Sequence, residues 1–179
     1  NEGDAVAIAA GAELGGCGGV AMFQNSGLGN AVNPLTSLTW TFRIPILLIV
    51  TWRGEPGGHA DEPQHELMGQ ITPRMLELMN IPWALFPDSE AAIAPTLDAA
   101  VASMQKTQRP YALVMRKGSV ADSALGGDLR PPVSRQPVPV ARKPAVARRQ
   151  AMLTAIRAAD AGRDVLVATT GYMGRELYA

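Results

Sequence analysis

Pro45-Ile46-Leu47-Leu48-Ile49-Val50-Thr51-Trp52 is the stretch that decides the fold. Its apolar core, Ile46 through Val50, leaves no polar face. That is the pattern of a strand covered on both sides within a parallel sheet. On its N-terminal side, residues 28–42 repeat apolar positions at helical intervals despite Pro34. Before them come the polar turn Gln24-Asn25-Ser26-Gly27-Leu28-Gly29-Asn30 and the short apolar strand Val20-Ala21-Met22-Phe23. Residues 4–14 are alanine-rich at helical spacing, with Asp4 suited to the positive end of a helix. Gly15-Gly16-Cys17-Gly18-Gly19 ends that helix.

On the C-terminal side, residues 53–64 hold three glycines and two prolines, too many for regular structure. A helix is predicted over 66–79, with Leu67, Ile71, Met75, Leu78 and Met79 as its apolar positions. A short strand follows at 83–86, then a helix capped by Ser89 and running to about 105, then a strand at 111–115. Helices alternating with buried strands give an α/β fold with a doubly wound, mostly parallel sheet.

Composition narrows the function. The 179 residues are 47% hydrophobic and 18% charged, and 16 basic residues balance 16 acidic ones. A chain this apolar is not disordered. A charge balance of zero argues against an electrostatic nucleic-acid binder. No run approaches the roughly 20 apolar residues of a membrane span. The one cysteine, Cys17, excludes an internal disulfide framework, suits a turn and fits a reducing cytoplasmic setting. Both termini read as cuts within a longer protein: residues 1–4 run straight into a helix, and residues 169–179 look like the opening of one. After Lys117 the composition shifts, and Pro131, Pro132, Pro137, Pro139 and Pro144 alternate with arginines. The expected organisation is a domain over 1–117, a Pro/Arg-rich linker over 118–145 and the start of a second domain over 146–179, with a helix at 147–161 and a strand at 164–169.

Three segments offer chemistry. Asn1-Glu2-Gly3 sets a carboxylate just ahead of a helix, where it serves at least the helix dipole. The 24–30 turn has the strand–glycine–helix layout of an anion site, but lacks the third glycine of a dinucleotide fingerprint and any Walker lysine. The 53–65 loop follows the C-terminal end of a buried strand, where open α/β sheets bind ligands. It gathers both histidines, His59 and His65, beside Arg53, Glu55, Asp61 and Glu62. Their spacing is too loose to predict a metal centre. Arg53 is read either as an anion clamp or as a salt-bridge partner of Glu55, Asp61 or Glu62; Arg74 is read as part of a solvated helix face.

Taken together, these segments resemble the thiamine-diphosphate-dependent 2-oxoacid decarboxylases. The motifs are Asn1-Glu2-Gly3-Asp4-Ala5, the 24–30 turn, Ile44-Pro45, Arg53-Gly54, and Asp61-Glu62-Pro63-Gln64-His65 followed by Met68-Gly69. The resemblance implies a pyrimidine-binding domain lacking its first strand and helix, then the beginning of a diphosphate-binding domain. It makes Glu2 the catalytic proton relay and assigns Gln24, Asn25, Ser26, Gly27 and Asn30, with Glu2, to the cofactor. The turn residues Asn25 and Ser26 would also face a small 2-oxoacid substrate, and Arg53, His59 and His65 are read from their charge as donors to its anionic groups. The implied reaction releases CO2 from phosphonopyruvate, giving phosphonoacetaldehyde; sulfopyruvate as substrate and a non-catalytic binding subunit are the alternatives. Magnesium and the diphosphate anchor would lie outside this chain, and a second copy of the chain would complete the site. The relay also asks for a carboxyl in an apolar pocket, with its pKa near working pH. The 53–65 loop is expected to order over the substrate.

Overall fold

A computed structural model describes residues 1–121, 148–159 and 176 of the chain. The chain divides into two compact units, Asn1–Gly126 and Gly127–Ala179. The predicted strand at 164–169 and most of the predicted linker lie outside the described residues.

The first unit opens with α1 (Glu2–Leu14), two residues earlier than its apolar spacing indicates. Asn1 explains the difference. Its Oδ1 accepts from the amides of Gly3 at 2.8 Å and Asp4 at 3.4 Å, satisfying donors that a helix start leaves open. Glu2 is therefore inside the helix rather than ahead of it. The chain then forms β1 (Val20–Gln24), a 3-10 turn over Asn25–Gly27 and α2 (Leu28–Asn33). The predicted helix over 28–42 does not stay regular: Pro34 has no N–H to give, and Pro34–Trp40 continues as a wider, π-type helix. Next come β2 (Leu47–Thr51), a 3-10 turn over Pro63–His65, α3 (Glu66–Leu78), β3 (Trp83–Leu85), α4 (Glu90–Thr107) and β4 (Tyr111–Met115). Ser89 stands at the N-cap of α4, but its hydroxyl makes no capping bond.

The four strands are all parallel, in the order β1-β2-β4-β3. Register pairs Leu48 with Ala21 and Ala112, and Val50 with Phe23 and Val114. Because side chains alternate along a strand, these residues share one face. That face carries the core: Val6 and Ala9 of α1, Leu28 and Ala31 of α2, Leu35, and Leu76 of α3 pack over it. The opposite face, bearing Ile49 and Leu113, meets Ile93 and Leu97 of α4 along a largely apolar cleft. The sheet is thus wound on both sides, as the alternation of elements required. Toward the β1 edge this second face is uncovered among the described residues, leaving Met22 65% exposed. On α3 the buried positions are Gly69, Thr72 and Leu76, while Leu67 and Leu78 face outward, so the helix is rotated from its apolar count. Among the described residues no helix is long and apolar enough to cross a membrane.

The second unit is described by α5 (Arg149–Ala159), within the predicted helix, with Leu153 buried and Arg149 ion-paired to Glu176.

Replacing Leu48 with alanine should lower the stability of the first unit by roughly 2–5 kcal/mol, since its side chain is wholly buried beneath α1, α2 and α3. Leu47→Ala, on the half-buried face, should cost less. Urea midpoints of the two variants test the assignment of faces.

Candidate functional site

The C-terminal ends of β1 and β2 carry the site, joined by the amide of Asn25. This side chain is fully buried. Its Nδ2 donates to the Arg53 carbonyl and to Thr72 Oγ1, each at 2.9 Å, and its Oδ1 accepts from the Arg53 amide at 3.1 Å. Thr72 Oγ1 passes the chain on to the Met68 carbonyl at 2.6 Å. Both amide hydrogens of Asn25 are engaged inside the protein. Asn25 thus ties two strand ends to α3 with both of its donors used.

On one side of this clamp lies Glu2. Asn30 Nδ2 donates to Glu2 Oε2 at 2.9 Å, bridging residues 28 apart in sequence. The carboxyl rests against Gly27, where a Cβ would collide with it. Glycine is required there by close approach, because its backbone sits in the ordinary right-handed region. The bond from Asn30, assisted by the backbone N–H of Glu2, holds the carboxyl below its usual pKa. Partial burial opposes this but is outweighed, and the dry pocket a relay needs is not built by the described residues alone.

On the other side lies Arg53, and here the salt-bridge alternative holds. Its Nε and Nη2 fork onto Asp61, at 2.8 Å to Oδ2 and 2.6 Å to Oδ1, with Glu62 Oε2 at 3.3 Å. Asp61 also accepts from the Gly54 and Glu62 amides, both at 2.8 Å. These donors push the Asp61 carboxyl far below the usual carboxylate range, and Arg53 is held more firmly protonated in return. The bidentate edge expected to clamp substrate is therefore spent on Asp61. Only Nη1 points back to the turn, 3.5 Å from Gln24 Oε1, while Gln24 Nε2 donates to Ser26 Oγ at 2.7 Å. Gln24, Ser26 and this remaining N–H are the polar groups the site still presents.

The loop that follows is braced rather than open. Besides Asp61, Glu55 pairs with Arg116 at 2.7 Å beyond β4. Gly54, at φ +69°, lies so close to the His65 carbonyl that a side chain would clash, and Gly69 meets the Gly54 carbonyl in the same way. His65 is buried, with its Nε2 3.3 Å from Glu62 Oε2. The 3-10 turn brings its ring back to Glu62, which spacing alone did not show. Asp61, Glu62 and His65 thus present ligand atoms within 4.8 Å of one another, but both Asp61 oxygens already serve Arg53 and the backbone. His59 is exposed and lines a cleft of about 690 Å³ between the loop and α3, together with Glu66, Gln70 and Arg74. None of Glu2, Gln24, Ser26 or Asn30 lines it. Size alone therefore does not mark the chemistry, and the carboxyl site is the better supported of the two.

A parallel α/β domain with an acid and a polar glycine turn at its strand ends defines a class, and the comparisons specify which. No protein-family model matches the chain. Individual proteins do, and they are 2-oxoacid decarboxylases, which bears out the resemblance seen in the motifs. The phosphonopyruvate decarboxylase of Streptomyces viridochromogenes is 44% identical over 99% of the chain, and that of Streptomyces hygroscopicus is 42% identical over 99%. Sulfopyruvate decarboxylase subunit alpha of Methanocaldococcus jannaschii is 34% identical over 63% of the chain and is matched over 65% of its own length. The chain spans 45% of the length of each phosphonopyruvate decarboxylase.

Replacing Asp61 with alanine should free the Gly54 and Glu62 amides and raise their hydrogen-exchange rates by about tenfold or more, with the sheet amides unchanged. The bracing has a defined pH window as well. A carboxylate whose pKa is depressed on folding stabilises above its unfolded value, roughly 4, and the contribution fades as pH falls toward the folded value. In the wild type, exchange at these two amides should hence follow only the intrinsic pH trend around neutrality and accelerate beyond it only in strong acid.

Proposed function

We propose that this chain supplies the carboxyl-bearing half of the active site of a thiamine-diphosphate-dependent phosphonopyruvate decarboxylase, a carbon–carbon lyase forming phosphonoacetaldehyde and CO2. The observation that carries the proposal is the 44% identity over 99% of the chain, with Glu2, Gly27 and Asn30 assembled at one point. The donor set fits the cofactor's pyrimidine ring: a carboxyl with one oxygen already fixed can exchange a proton with a ring nitrogen, while Gln24 and Ser26 offer neutral polar contacts. Thiamine diphosphate, when bound, supplies the electron sink that a 2-oxoacid needs to lose CO2.

This chain's own residues would then divide the work. Glu2 holds and returns the proton. At rest it is ionised, because Asn30 and the helix amide stabilise the anion. Enclosure by the bound cofactor and the surface of a second subunit would remove water and raise its pKa toward the working range. Gly27 leaves room for the carboxyl, and the Asn25 clamp fixes the turn that carries Gly27 and Asn30. Arg53, rigidified by Asp61, would meet a substrate anion through its single remaining edge, with His59 as a second exposed donor when protonated. The phosphonate is favoured over the sulfonate by the higher identity and fuller coverage of the phosphonopyruvate decarboxylases.

The Mg2+ and diphosphate site would come from a segment beyond residues 1–117 or from another chain, with 146–179 as the beginning of a diphosphate-binding domain. A second copy of the chain would complete each site. The subunit naming of the archaeal relative supports the alternative in which a separate polypeptide completes it. A cytoplasmic location accords with the free, exposed Cys17.

Glu2→Gln in the full-length enzyme should lower kcat by two orders of magnitude or more while leaving the circular dichroism spectrum and urea midpoint intact, since glutamine keeps the shape but cannot carry the proton. Turnover within tenfold of wild type would remove Glu2 from the mechanism. Residues 1–179 by themselves should give little heat when titrated calorimetrically with thiamine diphosphate and Mg2+, if the diphosphate anchor is supplied from elsewhere as proposed.

A further inference from the structure

We infer that Asn30 is a positioning residue that decides which oxygen of Glu2 carries the exchangeable proton: Oε2 is held as the acceptor of the Asn30 amide, and the proton is confined to Oε1 on the Gly27 side. The inference rests on the proposed role of Glu2 and adds a residue and an atom to it.

The geometry is specific. Asn30 Nδ2 lies 2.9 Å from Glu2 Oε2, and Glu2 Oε1 is the carboxyl oxygen nearest the vacant Cβ position of Gly27. An ionised carboxylate only accepts, so the asparagine must turn its NH2 group toward it. Once that N–H is directed at Oε2, a proton on Oε2 would have to share the same space. No other side chain among the described residues donates to Oε1, which stands over the only residue type without a side chain. A two-fold symmetric acid thereby becomes an asymmetric one, with one oxygen fixed and the other free to exchange. This is an orienting device of the kind a relay needs, because a carboxyl that rotates loses the alignment that makes proton transfer efficient.

The surroundings leave few competitors for the effect. The elements packed against α1 are β1, α2 and the 34–40 segment, and none of them carries an ionisable side chain. On α1 itself Asp4 is the neighbouring charged side chain. Asn30 is exposed and its side chain makes no other bond among the described residues, so its substitution should not disturb the core.

The test follows Glu2 directly by 13C NMR titration of its side-chain carboxyl in the full-length protein with labelled glutamate, the signal being identified by its loss in Glu2→Gln. Removing the donor in Asn30→Ala should raise the Glu2 midpoint above wild type. Asn30→Asp, which keeps the shape but replaces the donor with a like charge, should raise the apparent midpoint of the pair further. In turnover, Asn30→Ala should cost about tenfold in kcat, the scale of one hydrogen bond to a charged group, with KM for phosphonopyruvate within about twofold. The limb of the rate–pH profile governed by Glu2 should move to higher pH by the same amount as the NMR midpoint. Unchanged Glu2 midpoints in both variants would overturn the inference, as would a shift in KM with kcat preserved. If instead Glu2→Gln keeps its activity, the proposed function itself fails, while the NMR shifts still report on the Asn30 contact.

Discussion

The buried amide of Asn25 is the contact on which the arrangement of this domain depends. Strand ends in a parallel sheet have no hairpin to hold them, and each must be anchored by the loops that follow. Asn25 does so for β1 and β2 at once, by exchanging both hydrogen-bond directions with the backbone of Arg53, and it reaches Thr72 to draw in α3. Burying an amide costs free energy unless every polar atom is matched, and here each is. The turn on which Gly27 and Asn30 sit, and the start of the loop led by Arg53, are positioned by the same side chain.

From that anchor the two flanks of the turn diverge in character. The Arg53 flank is a closed ionic system: one carboxylate, Asp61, absorbs the guanidinium fork and two backbone amides. Such a network rigidifies a loop and has little capacity left for a ligand. The Glu2 flank is open. Its carboxyl has one side-chain partner, no counter-charge among neighbouring side chains, and a glycine notch behind it. Chemical reactivity belongs where a group is held in place but not neutralised, and that distinction separates the two flanks more sharply than cleft size does.

The open flank is what the proposed half-site role would require. A carboxyl held low by hydrogen bonding becomes a useful proton carrier only when an apolar surface closes over it. The described residues do not provide that surface, and the chain spans 45% of the length of the phosphonopyruvate decarboxylases it matches. The missing dielectric, not a missing residue, is what a partner domain would contribute to Glu2.

The sequence by itself determined the strands and their parallel sheet, because Ile46 to Val50 and Tyr111 to Met115 are apolar on both faces and can only be buried between helices. It also singled out the segments at the strand ends, since glycine turns and Gly/Pro-rich loops have no other place in an alternating α/β chain. Local signals were less complete where two determinants competed. Asn1 as a helix cap was legible in principle from Asn1-Glu2-Gly3-Asp4, but Glu2 was read from the apolar spacing, which starts later. The rotation of α3 was not legible, because Thr72 is buried for its hydrogen bond to Asn25 and not for hydrophobicity. Only the tertiary structure decided the partners: Asn30 with Glu2, Asn25 with Arg53 and Thr72, Arg53 with Asp61 rather than Glu55. Composition lists which groups can pair, but the choice among equivalent donors and acceptors is made by packing, which brings residues 28 and 47 positions apart into contact and leaves chemically similar neighbours facing water.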